Sequence, residues 1–172
     1  ECSAMSMKYL GKTFDIHCGG VDLIFPHNQN EIAQSEGWTG KKFVNYWLHN
    51  ERLLVNGQKM SKSLGNFYTL RDVLGKGYSP VAVRYLLLST HYRQQLNFTF
   101  EGVDAAKSSV DRLNELIRKL QDIKGSSMKS VLIKKEISAA VSTFEKAMDN
   151  DLNISEALAA VFEFVRQINH HI

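Results

Sequence analysis

The chain contains little cysteine, little proline and no long apolar run. Two of its 172 residues are cysteines and two are prolines. Two cysteines cannot form the disulfide framework of a small secreted protein, so the composition indicates an intracellular protein. No apolar stretch approaches the ~18–20 residues of a membrane span, and the first residues lack the basic and apolar regions of a signal peptide. We therefore expect a cytoplasmic protein with no membrane partner.

The length and charge of the chain are compatible with many functions. The chain is long enough for one domain or two small ones, and its 44% hydrophobic and 23% charged residues are ordinary for a globular protein. A formal charge of +3 is compatible with an RNA partner without indicating one. The sequence lacks an initiator methionine and opens inside a pattern. We therefore expect a fragment of a longer protein.

The part of the chain before Ser79 predicts a mixed fold. Three runs rich in β-branched and aromatic residues predict strands, over residues 13–17, 43–49 and 52–55. The last of these runs ends in a turn at Asn56-Gly57. Pro26 suits the first turn of a helix, which we predict over roughly residues 27–35. Short strands that alternate with helices predict an α/β sheet.

The part of the chain from Ser79 onward predicts an all-α helical bundle. Apolar residues recur at helical spacing in four segments, over residues 81–88, 101–122, 132–148 and 155–168. Breaks are predicted at residues 124–127 and 149–153, because glycine, serine, asparagine and aspartate favour turns. Helices of this kind, joined by short breaks, pack against one another as a bundle.

A loop with two lysines is the most informative segment of the chain. It runs from Lys59 to Asn66, reads KMSKSLGN and follows Gly57; we name residues 59–66 the lysine loop. Ammonium groups, hydroxyls and backbone N–H groups are what a polyphosphate needs, although the usual G-x-x-x-x-G-K-[ST] phosphate loop is absent. The alternative for the lysine loop is a charged surface turn.

His27 and Glu31 form a candidate metal-binding pair. They lie four residues apart on the predicted helix and therefore share one face. Imidazole nitrogen and carboxylate oxygen are both zinc ligands, and Cys2 could supply a thiolate. The alternative is a surface histidine–glutamate pair together with an ordinary buried cysteine.

The motifs of this chain follow one another in an order that is typical of a known family. They read ECSAM, H-x-G-G-x-D-L, FPH-x-x-NEIAQS and the lysine loop, and later HYR with LN, and MDNDLN with EAL. The lysine loop resembles the second signature of class I aminoacyl-tRNA synthetases. The whole combination resembles the cysteinyl-tRNA synthetases, and the resemblance extends over nearly the whole chain.

The resemblance implies a fold and an activity. Residues 1–78 would be the second half of a Rossmann-like catalytic domain, residues 79–100 a tRNA stem-contact region, and residues 101–172 part of the anticodon-side helical domain. A HIGH-type signature is absent, as expected if the chain begins in the second half of the catalytic domain. The implied reaction is the ATP-dependent activation of L-cysteine and its transfer to tRNA(Cys). We expect these 172 residues to be inactive alone, and the protein to be a monomer as in the family.

The resemblance also implies a zinc site. Cys2, His27 and Glu31 would hold one Zn²⁺ per subunit. The family's fourth ligand, a cysteine close to the enzyme's N-terminus, has no counterpart in this chain. Zinc would select cysteine over serine, because the metal binds a thiolate well and a hydroxyl poorly.

Further roles follow for the nucleotide and the tRNA. Lys62 and Lys59 would be the catalytic residues, because they stabilise charge on the phosphoryl oxygens. ATP and its Mg²⁺ would be bound near a set of residues that comprises Lys62, Ser61, His17, Gly19, Gly20 and Asp22. Tyr92 and Arg93 would contact tRNA, through stacking and a phosphate contact.

The chain departs from the family beside the implied zinc ligands. The family commonly reads HHENE where this chain reads HNQNE, so Asn28 and Gln29 replace a histidine and an acid. These replacements leave the fine tuning of the amino-acid pocket open. Cys18, which we predict to lie in a turn near the nucleotide, replaces a small residue and is a disfavoured substitute for the missing ligand.

Two other functions stay open. The cysteine:glucosaminyl-inositol ligase of mycothiol synthesis shares the zinc and lysine-loop signatures, although the stretch around Tyr92-Arg93 and the helical part favour the tRNA enzyme. The second alternative belongs to another class of protein. It is a non-catalytic RNA-binding module stabilised by a metal ion.

Overall fold

A computed structural model of the chain describes residues 1–123 and 130–172, except for the side chains of residues 130 and 131. The chain divides into two compact units. Unit 1 comprises Glu1–Arg52 with Tyr92–Gln95, and unit 2 comprises Leu53–His91 with Leu96–Ile172. The break predicted at residues 124–127 lies outside the described residues. The domain boundaries predicted after residues 78 and 100 stay predictions.

Unit 1 is a small parallel β-α-β arrangement preceded by a helix. Its helices and strands are α1 (Cys2–Leu10), β1 (Phe14–Gly20), α2 (Gln29–Thr39) and β2 (Val44–Asn50). Strands β1 and β2 pair in parallel, from Phe14 opposite Val44 to Gly20 opposite Asn50. A 3-10 turn (Val21–Leu23) and a π turn (Ile24–Asn28) lead from β1 into α2. This mixed architecture confirms the predicted α/β part of the chain.

The core of unit 1 is aromatic and lies between the sheet and helix α1. Phe43 is fully buried, and its ring meets that of Phe14 edge to face with 5.0 Å between the ring centroids. Val44 is buried beside them, and Met7 and Trp47 pack against the cluster. Aromatic side chains supply much buried area per residue, which a two-stranded sheet needs.

The turn before α2 differs from the prediction. Helix α2 begins at Gln29 instead of His27 and extends to Thr39. The next residue, Gly40, adopts a left-handed conformation and ends the helix. Phe25 has an extended backbone (φ −134°, ψ 132°) because the residue before a proline is disfavoured in the helical region. His27 therefore lies in the π turn, one residue before the Asn28 N-cap of α2.

In the part of unit 2 that the structure describes, a three-stranded sheet is combined with five helices. Strands β3 (Leu53–Val55), β4 (Gln58–Lys59) and β5 (Leu96–Phe98) lie in the order β4-β3-β5. The β3–β4 pair is antiparallel and the β3–β5 pair is parallel. The helices are α3 (Leu70–Gly75), α4 (Pro80–Leu88), α5 (Phe100–Asp122), α6 (Ser130–Asp149) and α7 (Ile154–His171). The predicted helical part is thereby confirmed, whereas α1, α3, β4 and β5 were not predicted.

Local signals explain where several of these elements begin. The β3–β4 hairpin turns at Asn56 and Gly57, which both have positive φ values of 52° and 75°, as a tight hairpin turn requires. Helix α3 begins with a capping box, in which the Thr69 and Asp72 side chains each accept a backbone hydrogen bond. The Thr69 hydrogen bonds lower the pKa of the Asp72 carboxyl. Thr99 caps α5 in a similar way, because its side chain accepts from the Gly102 N–H.

The main core of unit 2 joins its sheet to helices α3, α4 and α5. Its buried members are Val55, Val73, Ala82, Val83, Leu86, Phe98, Val103 and Ala106. Met60 of the lysine loop packs against this core, as does Tyr68 just after the loop. The lysine loop is therefore attached to a packed core at its second residue. Within the described residues, none of the helices combines the length and apolar character needed to cross a membrane.

Replacing Val83 by alanine tests this core. Val83 is 4% exposed and Val81, on the same helix, is 56% exposed. We expect Val83→Ala to lower the free energy of unfolding by about 1.5–3 kcal/mol, because apolar contacts are lost and a cavity forms. Val81→Ala is the matched control and should change stability by less than about 0.5 kcal/mol. Urea denaturation measures both, and equal effects would contradict the core assignment.

Candidate functional site

The three residues predicted to bind a metal lie together in unit 1. Cys2 opens α1, His27 lies in the π turn, and Glu31 lies in the first turn of α2. One ligand atom of each residue, the Cys2 sulfur, a His27 ring nitrogen and a Glu31 carboxylate oxygen, lies within 4.8 Å of the other two. We name these residues the metal triad. Sulfur, imidazole nitrogen and carboxylate oxygen are all donors that zinc accepts.

The Glu31 carboxylate is buried and only half of it is hydrogen-bonded. Glu31 is 3% exposed. Its Oε2 accepts a hydrogen bond from Asn28 Nδ2 at 2.8 Å, and it lies 3.2 Å from His17 Nε2 and 3.7 Å from His27 Nε2. Its Oε1 is buried and has no hydrogen-bond partner among the described residues. A buried carboxylate oxygen is costly to leave unpaired, so the Glu31 carboxylate, together with the Cys2 sulfur and a His27 ring nitrogen, fits a metal ion.

A series of ring contacts leads from Glu31 of the metal triad through His17 to Trp47 and His49. The His17 ring lies 4.5 Å from the Trp47 ring, and the Trp47 ring stacks on His49 at 5.9 Å and 2°. His49 Nε2 lies 3.0 Å from Asn28 Oδ1. Our reading of the sequence missed His49, although a histidine at the carboxyl end of a predicted strand is a recognisable signal. Ligands of parallel sheets bind outside these strand ends.

Gly19 and Gly20 lie at the same carboxyl end of the sheet. They close β1 and pair with His49 and Asn50 of β2. A Cβ on Gly20 would come within 2.5 Å of the Asp22 carboxylate, and one on Gly19 within 3.2 Å of the Leu23 side chain. The two glycines therefore let the 3-10 turn fold back closely on the strand, and the Asp22 carboxylate lies against the backbone of Gly20.

Cys18 does not lie in the predicted turn. It is an exposed residue of strand β1, where it pairs with Leu48. The turn prediction was wrong because the strand continues through both glycines to Gly20. Neighbouring strand residues point to opposite faces, so Cys18 and His17 occupy opposite faces of the sheet. Cys18 is not a member of the metal triad.

The lysine loop belongs to unit 2 and is closed by one asparagine side chain. Asn66 Oδ1 accepts from the Ser61 N–H at 2.8 Å, and Asn66 Nδ2 donates to the Lys59 carbonyl at 3.1 Å. The amide thus joins both ends of the loop. The Ser61 and Ser63 hydroxyls lie 2.7 Å apart inside it. The sequence predicts no role for Asn66, although asparagine side chains commonly hydrogen-bond the nearby backbone in turns and loops.

Lys62 lies at the tip of the lysine loop and contacts an aromatic ring. Its ammonium nitrogen is 5.4 Å from the centroid of the Phe67 ring. A cation over an aromatic face at an exposed site is worth about 0.5–1 kcal/mol. This contact is weak enough for a phosphate oxygen to replace it. Phe67, like Asn66, was not predicted to contribute to the site.

Tyr92 and Arg93 form a pair in unit 1. The Arg93 guanidinium lies 5.0 Å from the centroid of the Tyr92 ring. The Tyr92 carbonyl accepts a hydrogen bond from the Glu51 N–H at 2.8 Å, which connects this segment to the residues that follow β2. The role predicted for these residues in tRNA binding stays a prediction.

Two family models match the chain. The model described as the tRNA synthetases class I (C) catalytic domain matches residues 1–108, and the DALR domain model matches residues 143–172. The first match covers more than half of the chain. The chain therefore belongs to the class I tRNA synthetase (C) family.

Comparison with individual relatives identifies a more specific group within this family. The cysteine--tRNA ligase of Protochlamydia amoebophila is 57% identical over 169 residues, which are 98% of this chain and 35% of the relative. The cysteine--tRNA ligase of Brachyspira hyodysenteriae is 56% identical over 171 residues, with 98% of this chain and 36% of the relative covered. These relatives confirm the resemblance to cysteinyl-tRNA synthetases. The chain spans about a third of their length.

A solved structure supports the fold. The agnB2 LeuRS of Agrobacterium radiobacter K84, solved as a ternary complex with tRNA and LeuAMS, matches with a TM-score of 0.73 at 20% identity. The match covers 91% of this chain and 23% of that protein. At this identity the likeness concerns the fold alone, and it agrees with an α/β part followed by helices.

Substitution of Asn66 tests the closure of the lysine loop. In Asn66→Ala both loop hydrogen bonds are lost, so we expect trypsin to cleave faster after Lys59 or Lys62 than in the unaltered chain. Asn66→Asp can still accept from Ser61 but cannot donate to Lys59, and its cleavage rate should be intermediate. Ser63→Ala is the control, because it removes only the contact between the two hydroxyls. Equal cleavage rates in all four proteins would contradict this account of the loop.

Proposed function

We propose that this chain is the part of a cysteine--tRNA ligase that selects L-cysteine and supplies the lysine loop for its activation with ATP. The observation that carries the proposal is the metal triad, in which donor atoms of Cys2, His27 and the buried Glu31 converge. The proposal is supported by the two cysteine--tRNA ligases that are 57% and 56% identical to this chain over 98% of its length. The amino acid would then be transferred to tRNA(Cys).

Selection of the amino acid would depend on the metal triad. Cys2, His27 and Glu31 would hold a zinc ion, which when bound supplies a position for the sulfur of a cysteine substrate. The His17 imidazole lies 3.2 Å from the Glu31 carboxylate, and the Trp47 indole lies 4.5 Å from that imidazole. These rings would exclude water from the substrate. A site that depends on sulfur rejects serine by more than the ~1–3 kcal/mol available from one missing methylene.

Activation would depend on charge. The substrate carboxylate attacks the α-phosphate of ATP and releases pyrophosphate, and negative charge builds on the phosphoryl oxygens. Lys62 and Lys59 would stabilise this charge, with the Ser61 hydroxyl nearby and Mg²⁺ bound to the nucleotide. At the carboxyl end of β1, Gly19 and Gly20 would allow close approach of the nucleotide, and Asp22 would accept from ribose hydroxyls.

Transfer requires a tRNA partner. Arg93 would contact phosphate and Tyr92 would offer an aromatic face, which are the interactions that proteins use on RNA. We further propose that the protein acts in the cytoplasm as a monomer, as we expect for this family. The helices α5 to α7 would belong to the anticodon side of the enzyme.

Metal analysis tests the metal triad. We expect the purified chain to retain zinc, and Cys2→Ser and Glu31→Gln each to lose most of it, because each substitution removes one of only three donors. Cys18→Ser is the matched control, since Cys18 is an exposed cysteine of the same unit outside the metal triad. Inductively coupled plasma mass spectrometry gives the metal content. Unchanged zinc in both triad variants would contradict the ligand assignment.

Exchange of pyrophosphate into ATP, measured with and without cysteine, tests activation. We would place these 172 residues in the Protochlamydia amoebophila ligase in place of its matching segment, with which they are 57% identical. In this chimera Lys62→Gln should lower kcat by roughly 10²–10³-fold, because one stabilising charge is lost from the transition state. Lys107→Gln is the control, since Lys107 pairs with Asp111 on the surface of α5.

The same assay separates the other functions. The 172-residue chain alone should show no appreciable exchange, and clear exchange by it would contradict that expectation. A folded chimera without exchange would favour a non-catalytic RNA-binding module. If the chimera activates cysteine but transfers it to an amino-sugar acceptor instead of tRNA, the proposed acceptor is wrong.

A further inference from the structure

Asn28 is a buried residue, and both the nitrogen and the oxygen of its side-chain amide make polar contacts. It is 3% exposed and lies at the junction of the π turn and α2. Its Nδ2 donates to Glu31 Oε2 at 2.8 Å, and its Oδ1 lies 3.0 Å from His49 Nε2. A side chain three residues before Glu31 is thereby connected to the far end of strand β2.

The orientation of this amide is fixed by chemistry. An ionised carboxylate only accepts hydrogen bonds, so the NH₂ group of Asn28 must face Glu31. The amide oxygen then faces His49, and a carbonyl oxygen only accepts. His49 must therefore donate from Nε2. The three side chains form a directed series of hydrogen bonds, from His49 through Asn28 to Glu31.

This series fixes the orientation of the Glu31 carboxylate. Oε2 accepts from Asn28 and lies 3.2 Å from His17 Nε2 and 3.7 Å from His27 Nε2, whereas Oε1 is buried and unpaired among the described residues. If the amide were absent, the carboxylate could rotate about its terminal bond, and the direction of its lone pairs toward a metal would no longer be fixed. Groups that hydrogen-bond metal ligands in this way orient them and change metal affinity by about 10–100-fold.

We propose that Asn28 is a positioning residue of the metal triad, which holds the Glu31 carboxylate in one orientation beside Cys2 and His27. The proposal rests on the proposed zinc-binding function. It also assigns His49, which binds no metal in this scheme, as the residue that holds the amide in place. His49 is itself held by its stacking on Trp47.

The affinity of the chain for zinc, measured by competition with a chromophoric chelator, tests this proposal. Asn28→Leu has nearly the same shape and cannot hydrogen-bond, so it should weaken zinc binding by about 10–100-fold. In Asn28→His an imidazole N–H can again donate to Glu31, and this variant should recover most of the lost affinity. Gln29→Leu is the matched control, because Gln29 is the exposed neighbour and should leave the affinity unchanged.

Thermal unfolding of the metal-free proteins separates positioning from general stability. If Asn28 only stabilises the fold, Asn28→Leu lowers the melting temperature of the metal-free chain, the folded variant binds zinc with unchanged affinity, and the proposal is overturned. If the unaltered chain binds no zinc, the proposed metal function fails and this inference fails with it. Zinc binding by the unaltered chain with equal affinity in Asn28→Leu overturns the inference alone.

A measurement on the unaltered chain stays informative even if Asn28→Leu does not fold. Nitrogen-15 NMR of histidine side chains reports which ring nitrogen carries a proton. We expect a proton on Nε2 of His49, because Asn28 Oδ1 accepts from it. A His49 ring protonated on Nδ1 alone would reverse the direction of the hydrogen-bond series and would overturn the proposal.

Discussion

The buried carboxylate of Glu31 is the interaction on which the site in unit 1 depends. An ionised carboxylate removed from water is destabilising by several kcal/mol unless hydrogen bonds or an opposite charge compensate for it. Here the compensation comes from the π turn through Asn28 and from strand β1 through His17, but it reaches only one of the two oxygens. One oxygen of this carboxylate lies within 4.8 Å of the Cys2 sulfur and of a His27 ring nitrogen. The burial and hydrogen bonding of Glu31 therefore determine the geometry of the metal site that we propose.

The lysine loop is held in a different way. It has no buried charge; one end is anchored by Met60 against the core of unit 2, and the loop is closed by the single amide of Asn66. The Lys62 ammonium rests on an aromatic ring, a contact of about 0.5–1 kcal/mol at an exposed site. The contacts of this loop are therefore exposed and weak, whereas in the metal triad the Glu31 carboxylate is buried and hydrogen-bonded. The two parts of the proposed site thus differ in how firmly their charged groups are held.

The sequence predicted those features that depend on local patterns. Helices α5, α6 and α7 and the turn at Asn56-Gly57 follow from spacing and turn residues. The His27–Glu31 pair was predicted from helical spacing, although His27 lies in the π turn before α2. Short elements such as α3 carry too few residues for a pattern to be recognised. His49 was missed because its contact with Asn28 bridges 21 residues and is set by the register of β1 and β2. Cys2 was a candidate ligand by residue type, but its position beside the other two depends on the packing of α1 against α2, which no local pattern predicts.

By sequence, Asn28 and Gln29 depart from the family pattern, and these two side chains differ in their burial and contacts. Gln29 is exposed at the start of α2, where the loss of an acid costs only the favourable interaction with the helix dipole, about 0.3–1 kcal/mol. Asn28 is buried and hydrogen-bonds both Glu31 and His49. An amide has its donor and acceptor in fixed places and carries no charge at any pH, whereas an imidazole changes charge near neutrality. Asn28 therefore contacts the Glu31 carboxylate through a group that does not titrate.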